Sequence, residues 1–275
     1  MRRLRGRTLA YVLLALAISL LSMGGCGNAS EAPTIPPVET FVIPFGDFQS
    51  TGAESVVSFA SNQSNWNFAA FSVGVWSALI TVGLAVPVAA FRASFGSTPL
   101  QQDDGSWVWS YSVNVGSSTY TATLHAQFAT EVLPQGVHWS MNISKEGEYE
   151  GFLWYYGESD LPLTQGFWIL RQSPADPTNL LQIDWSRNIS AETYAVRYTN
   201  IVPDGPENGG YIDTQYTAGV PYDHIWDIYN KGQDNHTYIQ WSKPTGEGRV
   251  QDSNNFGDDD WHCWDTTRTN VTCPS

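Results

Sequence analysis

From Trp107 onward, apolar and polar side chains alternate with a period of two. Trp107, Trp109, Tyr111, Val113 and Val115 are separated mostly by polar or small residues. After Gly116-Ser117-Ser118 the same rhythm returns in Tyr120, Ala122, Leu124, Ala126 and Phe128. Successive side chains of a strand point to opposite faces, so this pattern predicts a long antiparallel hairpin with one buried face. Val137, Trp139, Met141 and Ile143 predict the next strand. Short runs at 149–156, 166–171, 180–185, 193–200, 211–217, 224–229 and 237–241 continue the series, most of them bounded by Gly, Pro, Asn or Asp. Strands spaced in this way predict an up-and-down meander.

One segment departs from the period. Residues 67–91 contain no charge until Arg92. Ala70, Gly74, Ser77, Ala78, Thr81 and Ala85 form a small-residue stripe at helical spacing, and Phe68, Phe71, Val75, Leu79, Val82 and Val86 a bulky face. This predicts one apolar helix over about 67–86, ended or bent by Pro87. A helix apolar all round belongs in a core or in lipid. A strongly curved sheet or open barrel must fill its interior, and this helix is the candidate plug. The predicted fold is therefore mainly β: an antiparallel meander curved around one apolar helix, the small stripe against the sheet. In architecture this resembles the helix-covered half-barrels of bacterial lipoprotein carriers and receptors, without a motif matched residue by residue.

The N-terminal pattern is of another kind. Arg2, Arg3, Arg5 and Arg7 precede an apolar run over 9–21, followed by Ser22-Met23-Gly24-Gly25-Cys26. A basic start, an apolar stretch and small residues at a cleavage point form a secretory signal. The run is shorter than the ~20 residues of a membrane span. With a cysteine at the first mature position, the segment resembles the lipobox of bacterial lipoproteins, although Met23 stands where that family prefers Leu. The resemblance implies removal of residues 1–25 and lipid attachment (palmitate among the acyl groups) at Cys26. It places the protein in the cell envelope, held to the membrane by its lipid, and Gly27 in place of Asp points to the outer membrane. Residues 26–40, rich in Gly, Asn, Ser, Ala and Pro, read as a flexible Pro-rich tether. Residues 41–275 then form a single β-rich domain, with one or two strands expected within 41–60 and an irregular tail over 243–275.

Charge narrows the partners. The chain holds 13 Lys+Arg and 27 Asp+Glu, a net charge of −14. Four of the basic residues lie in the leader, so the mature chain is more acidic still. Nucleic acid as a partner is opposed electrostatically. Cys263 and Cys273 are the only cysteines left once Cys26 is lipidated, and an exported protein favours a disulfide between them, closing the tail. Six Asn-x-Ser/Thr sites, at Asn28, Asn62, Asn142, Asn188, Asn235 and Asn270, follow from the high Asn, Ser and Thr content.

Candidate chemistry is sparse. Twelve tryptophans invite a sugar site, with Trp154, Tyr155 and Tyr156 beside Glu158 and Asp160, or Trp226 between Asp223 and Asp227. Aromatic alternation along strands explains the same residues as core. Glu148 and Glu150, read as lying on one strand face, and Asp184 are candidates for a glycosidase carboxylate pair, as any acidic sheet protein would offer. The five histidines have no metal-ligand spacing, the Asp258-Asp259-Asp260 run lacks the Gly and Glu of a Ca²⁺ loop, and no cofactor motif occurs. The leading expectation is a non-enzymatic binding module, carrying a lipid or other hydrophobic ligand between helix and sheet, near Trp76, Leu79, Ile80, Trp107 and Trp109. A carbohydrate-binding lipoprotein or glycoside hydrolase, and a purely structural envelope component, are the alternatives.

Overall fold

The computed structural model describes residues 31–42, 61–129 and 136–274, with backbone alone at 61 and 79–83. The leader, Cys26 and residues 43–60 lie outside the described residues. Ala32–Ser275 is one compact unit.

Its frame is an antiparallel meander. The strands are Leu100–Gln101 (β1), Trp107–Val115 (β2), Ser118–Ala129 (β3), Gly136–Lys145 (β4), Tyr149–Asp160 (β5), Gln165–Arg171 (β6) and Asn179–Asn188 (β7). They continue as Thr193–Asn200 (β8), Tyr211–Thr217 (β9), His224–Asn230 (β10), Asn235–Trp241 (β11), Gly248–Gln251 (β12), His262–Trp264 (β13) and Asn270–Val271 (β14). Each pairs with its neighbours in sequence, giving one 14-stranded sheet in the order β1 to β14 that curves without closing. All ten period-two segments are strands. The tail expected to be irregular instead supplies β12, β13 and β14, each too short to display a period of its own.

Tight curvature is built from glycine facing tryptophan. A Cβ at Gly157 would stand 2.0 Å from the Phe167 carbonyl oxygen and 2.8 Å from the Trp168 ring. At Gly166 it would meet the Glu158 carbonyl oxygen at 2.3 Å and Trp185 at 2.6 Å, and at Gly248 the ring of Trp264 at 2.2 Å. In each pair the indole comes from the register partner on the next strand. The ring covers the space that the glycine leaves open, a device that lets a sheet bend while staying packed.

The helical segment is longer than the expected 67–86. Ser64–Gly83 (α1) runs into Ala85–Ser94 (α2), with Leu84 leaving helical geometry at φ −116°, ψ 18°. Pro87 thus sits in the first turn of α2, where its missing N–H leaves no bond unmade, and the bend falls three residues before it. No helix among the described residues is long and apolar enough to cross a membrane. The small stripe does not face the sheet: Gly74 and Ala78 are exposed, while Asn65, Ala69 and Val73, four residues apart, are buried.

Both ends of this segment are fixed. In α2, Phe91 is fully buried, its ring stacked 4.7 Å from Phe41 and edge-on to Trp168 at 5.5 Å, and the Tyr111 hydroxyl donates to the Ala90 carbonyl at 2.6 Å. At the start of α1 the Asn65 N–H donates to Asn270 Oδ1 (3.1 Å), Asn65 Nδ2 to the Cys263 carbonyl (2.9 Å), and Asn270 Nδ2 to Ser64 Oγ (2.8 Å). A side chain from β14 thereby satisfies a donor that every helix N-terminus leaves open. Cys263 is bonded to Cys273, with Cα atoms 5.1 Å apart. Because α2 packs on β2 while α1 packs on β12, β13 and β14, opposite ends of the sheet come round to one helical segment in the concavity.

The tether expectation needs shortening. Residues 32–40 belong to the packed unit, with Pro33, Pro36 and Thr40 buried and the 3₁₀ turn Val38–Thr40 resting on β7. Phe41, at the end of this stretch, inserts among Phe91, Tyr155 and Trp168 and draws the Pro-rich strand onto the sheet.

Candidate functional site

The way α1 is turned leaves apolar side chains exposed among the described residues. Phe71 remains 66 % exposed and Val75 43 %. Exposed apolar area costs roughly 25 cal/mol per Å² relative to burial, so two such side chains on one helix face mark a surface that gains from cover. Together with Phe68, Trp76 and Leu84 they form one wall of a cavity of about 730 Å³. Leu180 and Leu181 of β7 and Ile228 of β10 form the facing wall. The volume falls within the roughly 300–1,000 Å³ of small-molecule sites, which are likewise apolar with a few placed polar groups.

The polar groups gather at one end. Asn235 and Thr237, two residues apart on the buried face of β11, reach the buried side chain of Asp252. Asp252 Oδ2 accepts from Asn235 Nδ2 at 3.0 Å and from the Thr237 hydroxyl. Its Oδ1 accepts the Asn255 N–H at 2.9 Å, which makes Asp252 the N-cap of the single-turn helix Ser253–Phe256 (α3). Glu207, in the connection from β8 to β9, is exposed at the rim and accepts the Gly232 N–H at 3.2 Å. Gln233 and Asn254 complete the mouth. The charged side chains lining the cavity among the described residues are Glu207 and Asp252, both acidic.

Of the ligand residues expected from the sequence, Trp76 lines this cavity. Leu79 and Ile80 lie in α1, but their side chains lie outside the described residues. Trp107 and Trp109 do not line it. They are buried on β2, the strand against which α2 packs, and Trp109 lies 6.0 Å from Trp139. The bulky-face pattern contained Phe68, Phe71 and Val75, yet nothing local distinguished the face turned to the sheet from the face turned to the cavity. Asp252, Asn235 and Thr237 carried no sequence signal, since they meet only through the pairing of β11 with β12.

The other candidates resolve individually. Trp154 and Tyr155 are both buried because the β4–β5 register slips at Met141/Asn142, making Trp154 the extra residue of a bulge. Trp226 is also buried, so these rings offer no open stacking face. Glu148 is not on a strand but in the turn before β5, paired with Lys145. Asp184 accepts both bonds from Gln182 Nε2, at 2.8 and 2.9 Å. Among the histidines, His125 faces Ser140 and His138 faces Gln127 across β3 and β4.

Two polar clusters lie elsewhere on β9–β11. On one, Asp227 accepts from the Tyr211 hydroxyl and contacts His236 Nδ1, each at 2.8 Å. Burial, then the bond to Asp227, raises the Tyr211 phenol above its ordinary range. On the other, burial pushes the Asp223 carboxyl up, but His224 Nδ1 at 2.8 Å and the Lys243 N–H at 2.9 Å together hold it below the usual value. Among the described residues no group of three or more His, Cys, Asp or Glu converges as a metal site. A second, smaller cavity of about 270 Å³ lies between Pro37–Thr40 and β7–β9.

Comparison of the chain with protein-family models, with curated proteins and with solved structures finds no significant match, so the cavity is read from its own geometry.

Proposed function

We propose that this chain is an envelope lipoprotein, anchored through a lipid on Cys26, whose β-domain holds a lipid or other hydrophobic ligand between α1 and the strands β7 to β11. The observation that carries the reading is the cavity of about 730 Å³, walled by Phe71, Val75 and Leu181 and open at a polar rim. An acyl chain there would cover apolar side chains that are exposed among the described residues, which is a source of affinity that needs no induced change of fold. Membrane tethering is consistent with such a role because it keeps the domain beside a supply of lipid.

Native mass spectrometry of the full chain, purified from a bacterial host, tests the binding role. An adduct of lipid mass is expected, and Ser72→Trp, which fills the cavity from an α1 position, should abolish it. Repeated absence of any adduct, or an adduct unchanged by Ser72→Trp, would remove the ligand from this reading. The anchor is tested separately with labelled palmitate: Cys26→Ala should lose incorporation, and equal labelling in the mutant would exclude attachment at that thiol.

A further inference from the structure

The cavity is lined, among the described residues, by charged side chains of one sign, Glu207 and Asp252. Resting on its reading as a ligand site, we infer that its occupant is a single-chain amphiphile with a protonated amine at its head, and that Asp252 receives that head. The walls supply the chain site, through Phe71, Val75, Leu181 and Ile228. The charged side chains at the polar end are Asp252 and, at the rim, Glu207. Asp252 is 4 % exposed, and its donors, the Asn235 amide, the Thr237 hydroxyl and the Asn255 N–H, are all neutral. A carboxylate has about four acceptor positions, and these bonds use three of them. One acceptor position therefore remains open, and among the described lining residues no cation pairs with the carboxylate at the cavity wall, where a charge is costly unless paired.

An ammonium N–H donor satisfies both requirements. A fatty-acid carboxylate does the opposite. It would enter beside Asp252, pass Glu207 at the rim and find no Lys, Arg or His among the described lining residues. The net charge of −14 opposes the same ligand at longer range.

The test is isothermal titration calorimetry of the full chain with three ligands of one chain length: dodecylammonium, 1-dodecanol and dodecanoate, in about 0.15 M salt to screen outer charges. Dodecylammonium should bind about tenfold tighter than 1-dodecanol, the margin of one charge-assisted hydrogen bond, and dodecanoate weakest. Asp252→Asn, which keeps a cap for α3, should remove that margin. Val75→Lys, at an exposed position of α1, brings a cation into the cavity and should move the preference toward dodecanoate; it carries the test if Asp252→Asn does not fold. Equal affinities, or dodecanoate tightest, would overturn the head-group assignment while leaving the cavity a ligand site. An ammonium preference that survives both substitutions would place the cation on the outer acidic surface and equally overturn it. If none of the three binds, the cavity reading fails as well.

Discussion

Under β2 to β6 the concave side of the sheet is closed by rings. Phe41, Phe91, Tyr155 and Trp168 lie within 4.7–6.2 Å of one another, and α2 is bound to β2 through Tyr111. Under β7 to β11 the same side of the same sheet is bounded by α1, and about 730 Å³ stays open. The two helices are nearly continuous, so the difference is not one of secondary structure. It lies in what stands between helix and strands. On the α2 side the Pro-rich segment delivers Phe41 as a wedge. On the α1 side the helix is tied at its N-terminus to the disulfide-closed tail, and its Phe71 and Val75 side chains stay exposed among the described residues. One half is filled by the chain itself, and the other has space for something else.

Substitution at the centre of the filled half should have the largest effect. Phe91→Ala is expected to cost about 3–5 kcal/mol, because a fully buried ring is replaced by a void, whereas Phe71→Ala in the cavity wall should stay within about 0.5 kcal/mol, as surface changes do. Urea denaturation of the two variants checks the contrast, and equal losses would erase the distinction between the halves. Next is the disulfide. Replacing Cys263 and Cys273 by Ser should cost about 2–3 kcal/mol by loop-closure entropy. Amide exchange should rise in α1 and in β12–β14, with β3–β6 unchanged, because Asn65 and Asn270 tie that tail to the helix and β12–β14 lie at the far end of the sheet from β3–β6. Uniform acceleration across the sheet would show that the halves do not open separately.

The smallest effect depends on pH. The Asp223 carboxyl is held below its ordinary value of 3.8 in the folded protein, so it stabilises the fold above that pH. The contribution is lost as pH falls through the lower, folded value. Asp223→Asn should accordingly be less stable than the parent at pH 6 and approach it in strong acid. A difference that holds constant between pH 6 and pH 2.5 would count against this.

How much of this comparison could be read from the sequence depends on range. Alternation is a local property, so β2 to β11 are visible in Trp107, Trp109, Leu124 or Ile183. The terminal strands β12 to β14 are not, since two to four residues cannot display a period. The start of α1 was hidden because Asn65 and Asn67 are polar, yet both are buried in the fold. Asn65 is accommodated there by hydrogen bonds to residues about 200 positions away. The expected tether is too long because Pro33 and Pro36 look unpackable in the sequence, yet both are buried in the fold. The cavity depended on the rotation of a helix that is apolar on every side, and no periodicity can fix that angle. Trp107 and Trp109 were placed beside the ligand for the same reason. They do face the concavity, but in the half already filled.

The strands at the two ends, β1 and β14, are each two residues long. An open sheet ends in rows of unpaired amide and carbonyl groups, and a long flat row is a template on which a neighbouring chain can add its own strand. The terminal strands β1 and β14 themselves offer such a neighbour only two residues each, although β1 covers β2 at Trp107 and Val108 alone. Brevity at both ends is one way in which an open meander limits edge-to-edge addition.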